Sequence, residues 1–166
     1  MTHRSCTCRR CVQACTVMPG LFMPGQVASI EEHFGCRVED LLGSALAISR
    51  WKWRNGAVTF MLSPQERCHV GRKLLPMSWG RWWDTGCVLL RDDRCSIHEI
   101  KPYECAALDC TADSDARIER RHRYVAEQWR RATALQERFG RVKDGGKVRT
   151  IDVADVHLGS GLAVWI

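Results

Sequence analysis

Cys8, Cys11 and Cys15 stand in a C-x2-C-x3-C run with Cys6 just ahead of it, and Cys87, Cys95, Cys105 and Cys110 follow about seventy residues later. Two thiolates separated by two residues converge on one ion when a tight turn brings both sulfurs to the same side, and zinc and iron–sulfur sites both use such pairs. The N-terminal cysteines are embedded in Thr, Arg and Gln, not in the apolar setting that buried free thiols favour. The second group has irregular gaps of seven, nine and four residues, while Cys36 and Cys68 fall outside both groups.

The redox setting decides between metal and crosslinks. The N-terminus, MTHRSCTCRRC, is polar and basic, and no stretch of the chain approaches an uninterrupted apolar span of the roughly 18–20 residues that a membrane helix needs. The expectation is a soluble, cytoplasmic protein. In a reducing compartment ten cysteines read as ligands or redox groups before they read as a disulfide framework. At 166 residues, 45% of them hydrophobic, the chain is long enough to bury a core without such staples.

The formal charge of +6, of which the stretch from Arg117 to Arg138 contributes +4 through seven Arg against three Glu, raises nucleic acid as a partner. That count treats every cysteine as neutral. Each metal centre held by four thiolates carries about −2, so two filled sites would bring the protein near +2, and the arginine-rich stretch reads as a solvated face. Trp79, Trp82 and Trp83 in WGRWWD read as packing and not as a base-stacking platform. No Gly-rich phosphate loop, HExxH or paired-carboxylate frame is found, and the catalytic residues are unknown. Cys68 and His69 are neighbours, but in a strand adjacent side chains point apart, so they do not read as a nucleophile pair.

The elements that must position the cysteines are short. A helix is expected from about Ser29, capped by Ser29 and stopped by Gly35, and a second from about Val38 to Ala47. SRWKWRNGAVTFML reads as a hairpin with a type I′ turn at Asn55-Gly56, which pairs Trp53 with Val58 and Trp51 with Phe60. CVLLRDDRCSIHE reads as a second hairpin, turning at Asp92-Asp93 and returning Cys95 toward Cys87. Pro102 fixes its own φ and pushes Lys101 to an extended conformation; this ends the strand after Ile100 and lets Cys105 rejoin Cys95. Lys101 either sets a positive charge beside the sulfurs or is solvated. A long helix capped at Asp113 and Ser114 carries the stripe Ile118, Val125, Trp129, Ala132, Leu135 and Phe139 to a stop at Gly140, with i,i+4 pairs Glu119–Arg123 and Glu127–Arg131. The fold class is therefore α+β. One small domain, residues 1–140, has a cysteine-rich metal-bound core with short β-hairpins and a long amphipathic helix, and residues 141–166 add a short β-like extension turning at GSG, 159–161.

The run Cys8-x2-Cys11-x3-Cys15, then Cys87-Val-Leu-Leu, Cys95-Ser-Ile97-His98-Glu99, Lys101-Pro102-x2-Cys105 and Cys110 resembles the YkgJ-type cysteine-cluster proteins, the zinc- or iron-chelating domain also called CxxCxxCC. The resemblance covers residues 6 to about 139. Its second half is the more specific, because the family reads cysteine, Ile-Tyr-Glu, x-Arg-Pro-x-x-cysteine, and here His98 replaces the aromatic and Lys101 the Arg. Where the family has adjacent cysteines this chain has Ala14-Cys15. The motif thus supplies seven thiols, one short of two all-cysteine tetrahedral sites. Cys6, His98 or Asp109 would have to complete the set, or there is a single centre with spare cysteines. The resemblance implies metal binding and no settled reaction. Iron and zinc are close: the C-x2-C-x3-C run before the Pro19 turn resembles ferredoxin-like ligation, whereas zinc suits a structural clasp. The competing classes are a thiol-disulfide or metal-dependent redox enzyme and a zinc-stabilised nucleic-acid or protein adaptor.

Overall fold

The computed structural model describes residues 9–17, 19–75, 86–108, 115–145, 150–151 and 164–165. It is a mixed helical and hairpin fold. The elements run α1 (Arg9–Val17), α2 (Val27–Phe34), α3 (Val38–Leu41), β1 (Leu46–Lys52), β2 (Val58–Pro64), β3 (Leu90–Arg91), β4 (Arg94–Cys95), α4 (Tyr103–Ala106), α5 (Asp115–Arg131), α6 (Thr133–Gly140), β5 (Thr150–Ile151) and β6 (Val164–Trp165). Among the described residues there are three sheets, each a two-stranded antiparallel pair. No helix among the described residues is long and apolar enough to cross a membrane. GSG, WGRWWD and the caps Asp113 and Ser114 lie outside the described residues.

The β1–β2 hairpin is the centre of the core, and its register departs from expectation by one residue. Trp51 pairs with Thr59 and Arg50 with Phe60, so Trp51 and Phe60 stand on opposite faces. The turn is the reason. A type I′ turn needs positive φ at both central residues, but only Gly56 has it, at 84°. The chain instead closes Gly56 N–H on Trp53 O (2.9 Å) and Trp53 N–H on Ala57 O (2.8 Å), one residue longer than the two-residue loop. Trp53 then donates its indole N–H to Thr59 (2.8 Å) rather than facing Val58.

A two-stranded ribbon leaves two open edges, and both are covered. On the β1 side Ile48 N–H donates to Lys73 O and Leu75 N–H to Ile48 O, each at 2.9 Å. On the β2 side the Gln136 side chain stands in for a strand: its Oε1 accepts Phe60 N–H (2.9 Å) and its Nε2 donates to Phe60 O (2.6 Å). Such capping removes the pairing liability of a bare edge.

The expected single long helix is broken. Ala132 leaves helical geometry at ψ 67°, separating α5 from α6. At 1.5 Å per residue a straight helix would set Phe139 about 15 Å along the axis from Trp129, yet both are fully buried and their rings lie 5.5 Å apart. The break allows that contact and aims Gln136 at β2. Trp129 also donates its indole N–H to Phe22 O (2.7 Å), tying α5 to the segment before α2. Of the expected pairs Glu119–Arg123 forms (3.2 Å), while Glu127 takes Arg130 (2.9 Å) in place of Arg131.

Two other helices differ. α2 starts at Val27 after a 3-10 turn at Pro24–Gln26, with Ser29 inside it; Pro24 presets the first turn, and Gly35 ends it at φ 63° as expected. α3 is a single turn and not a helix to Ala47, because residues from Leu46 onward pair with β2; tertiary pairing overrides local pattern.

Arg138 of α6 clamps α2 and α3 together. Its guanidinium donates to Glu31 (2.6 Å) and to both oxygens of Glu39, and this hydrogen bonding holds the Glu39 carboxyl below its ordinary value. A carboxyl lowered by folding contributes stability above its unfolded value near 4.3 and loses it as pH falls through the lower folded value. Arg138→Met should therefore cost about 1–2 kcal/mol at pH 7. Denaturant unfolding of both proteins across falling pH should show this deficit shrinking once pH drops below about 4.3; a pH-independent deficit would mean that the clamp acts through packing.

Candidate metal centre

Four of the expected cysteines are described with their side chains, and four separate segments carry them. Cys15 lies on α1, Cys87 precedes β3, Cys95 ends β4 and Cys105 lies on α4. Cys11 is one helical turn before Cys15 on α1, so the N-terminal run is helical in this part and not a tight turn. Cys6, Cys8, Cys110 and Asp109 lie outside the described residues.

Each fold-back has a local cause. The β3–β4 hairpin turns at Asp92 and Asp93, both at positive φ (45° and 59°), the signature of a type I′ turn. The turn lies at Asp92-Asp93 as expected, and the hairpin pairs Leu90 with Cys95. α1 reaches Cys87 through the backbone, with Cys87 N–H donating to Cys15 O at 3.0 Å. Gly86 permits that approach: it has φ 68°, and a Cβ there would meet Thr16 Cα at 3.2 Å. The Lys101-Pro102 step is extended (Lys101 φ −49°, ψ 152°) and starts α4, which returns Cys105. The residues before it do not form a strand, however. His98–Ile100 is a 3-10 turn, so half-buried His98 is not on a return strand.

The sulfurs lie within range of one another's charge and are met by main-chain donors, but no three of them lie within 4.8 Å of one another. Burial pushes the Cys87 thiol up to about 12 and the Cys105 thiol well above its ordinary value, with smaller upward pushes on Cys15 and Cys95. Negative charge on the neighbouring sulfurs adds to this: Cys95 acts on Cys15, and Cys15, Cys87 and Cys95 all act on Cys105. Against it stand backbone N–H groups directed at sulfur, from Leu89 and Leu90 to Cys87, from Ile97 to Cys95 and from Gly20 to Cys105. Lys101 adds a positive charge that acts on Cys15 and Cys95. Desolvation outweighs these favourable contacts, so without a cation the sulfurs stay protonated. A bound metal reverses that balance and deprotonates a ligating thiol.

Glu104 holds the site from behind, and nothing in the sequence pattern singled it out. It is buried; one carboxylate oxygen accepts Leu21 N–H (2.8 Å) and the other meets His122 Nδ1 of α5. The residue beside Cys105 is thus fixed to both the Gly20–Leu21 segment and the long helix. No disulfide links any two of the described cysteines. Cys36 is half-buried and packs against the hydrophobic core.

Cys68 and His69 correct an expectation. They lie on a 3-10 turn, Arg67–His69, not in a strand, and their side chains meet, with Sγ 3.0 Å from Nδ1. Glu66 joins them through Oε2, 3.5 Å from Sγ and in contact with the same Nδ1. Because thiol and carboxylate share one ring nitrogen, this is not a nucleophile–base–orienter relay, which would use both.

Gly20 is the most constrained position around the cysteines. A Cβ there would lie 2.8 Å from both the N and the Sγ of Cys105, and 2.9 Å from Glu104 Cβ. Gly20→Ala must displace α4 and should cost about 1–3 kcal/mol in stability. Thermal unfolding of this variant checks it; a wild-type midpoint would mean that Cys105 is not held against Gly20.

The chain matches no family model, no curated protein and no solved structure.

Proposed function

We propose that this is a metal-binding protein in which the N-terminal and central cysteines, Cys8, Cys11, Cys15, Cys87, Cys95, Cys105 and Cys110, hold an iron–sulfur cluster or zinc, with Cys6 or His98 as a further ligand. What supports this most is that four segments carry Cys15, Cys87, Cys95 and Cys105 within range of one another's charge, with N–H groups directed at three of the sulfurs, although no three of these sulfurs lie within 4.8 Å of one another. Such donors tune sulfur ligands of zinc and of clusters alike. The role is structural or electron-transferring, in a reducing, cytoplasmic setting. A thiol-disulfide enzyme needs a thiol lowered toward neutrality, and burial acts in the opposite direction here. The likeness to the YkgJ-type family agrees with the reading and rests on the motifs alone.

Anaerobic purification with metal and acid-labile sulfide analysis tests it. Sulfide and colour identify a cluster, and stoichiometric colourless zinc identifies a clasp. Cys15→Ser and Cys105→Ser should each lose most of the metal, although they come from different sequence groups. Metal-free wild-type protein, or unchanged content in Cys105→Ser, would overturn the proposal.

Metal removal should also loosen one region selectively. The two-residue strands around Cys87 and Cys95 rest on Leu89, Leu90 and Ile97, which are buried, so the core supplies part of their stability and ligation the rest. Chelation under reducing conditions should cut hydrogen-exchange protection at residues 87–105 at least tenfold, and that of Val125–Trp129 in α5 much less. Equal loss in both regions would mean that the metal holds the whole fold.

A further inference from the structure

Glu66, Cys68 and His69 bring a carboxylate, a thiol and an imidazole onto one point beside, but separate from, the four-cysteine group. Sγ lies 3.0 Å from Nδ1 and 3.5 Å from Oε2, and Oε2 also meets Nδ1. Nδ1 offers either one hydrogen or one lone pair, so it cannot bond both neighbours in the same sense; an ion at their centre takes one lone pair from each. Tetrahedral zinc, with bonds of about 2.0–2.3 Å, holds its donors roughly 3.3–3.6 Å apart. The Cys68–Glu66 separation already fits, and the other two open by rotation of His69, which is partly exposed.

The frame under these side chains is fixed. Glu66 is buried and pairs as a β-bridge with Cys87; its N–H goes to the Gln65 side chain (2.9 Å) and Arg67 N–H to Gly86 O (3.0 Å). His69 N–H closes the turn on Glu66 O at 3.0 Å. The Glu66 carboxylate is paired with His69 Nδ1, while the Arg67 guanidinium is directed elsewhere, to Leu90 O (2.6 Å). Cys68, in contrast, is exposed, which leaves one side of the cluster open to solvent.

We infer that Glu66, Cys68 and His69 form a second, independent zinc site with three protein ligands and a fourth position open to water or another small ligand. The charges close: Zn²⁺ with one carboxylate, one thiolate and one neutral imidazole is neutral. Binding releases the Cys68 thiol proton to solvent as the Zn–S bond forms.

The test uses purified protein with its cysteine centre as isolated, titrated with Zn²⁺ by calorimetry and with Co²⁺ as a spectroscopic probe. Wild type should take up one additional ion per chain, with a thiolate-to-cobalt charge-transfer band. Cys68→Ser should lose that band and bind Zn²⁺ at least tenfold more weakly; His69→Gln and Glu66→Gln should weaken binding similarly. Metal already present in the cysteine centre should be unchanged in Cys68→Ser, whose surface position leaves the fold intact. Absence of an additional ion in wild type, or unchanged affinity in Cys68→Ser, would overturn the site whether or not the cysteine centre holds metal.

Discussion

Several buried or half-buried thiols within reach of one another's charge are the constraint to which the surrounding structure answers. Left as thiols they contribute little beyond small apolar volume. As thiolates they would repel one another in a setting that already disfavours charge, which is why burial and neighbouring sulfurs push the same way on Cys15, Cys87 and Cys105. The backbone donors at Leu89, Leu90, Ile97 and Gly20, together with Lys101, favour the charged form without overcoming its desolvation. An arrangement that half-prepares a group of sulfurs for negative charge makes physical sense when a cation completes it.

The hydrophobic scaffold brings the sulfur-bearing segments together. Phe22 connects three levels: it is fully buried, its N–H donates to Leu62 O of β2 (3.0 Å), and its carbonyl accepts from Trp129 of α5. Leu21 just before it accepts Glu104 N–H (3.3 Å) and donates to the Glu104 carboxylate. The short run from Gly20 to Phe22 therefore transmits the position of the β1–β2 hairpin and of α5 to Cys105. Gln26 adds a second tie, donating to Lys101 O and accepting Tyr103 N–H, both at 3.0 Å. The α4 turn is held on both sides, by the Leu21 backbone and by the Gln26 side chain, which precede it by about eighty residues.

What could be read from the chain followed from how local its determinants are. The Asp92-Asp93 turn, the extended Lys101-Pro102 step and the Gly35 stop all depend on one or two residues, and each is found where the sequence put it. The hairpin at Asn55-Gly56 was legible as a hairpin but not in register, because one left-handed glycine serves a longer turn as well as a two-residue one. The break at Ala132 carries no local mark, since a heptad-like stripe continues through it; it follows from Trp129 and Phe139 packing together in the core. The contact of Cys68 with His69 was hidden for a similar reason. Adjacent residues diverge in a strand and converge in a 3-10 turn, and the turn is closed by bonds to Gly86 and Glu66.

α1 shows where the hydrophobic contribution runs out. Its described side chains are at most half-buried, with only Val12 and Cys15 resting against the core, and nine residues are too few to be helical in water without support. Among the described residues its backbone is joined to the rest of the chain by the Cys87 N–H to Cys15 O bond, at the close approach that Gly86 permits. One backbone bond is worth about 1 kcal/mol, so this contact alone gives α1 little. α1 carries Cys11 and Cys15. The proposed bond from sulfur to metal would act at that place and would couple ligation to the ordering of α1.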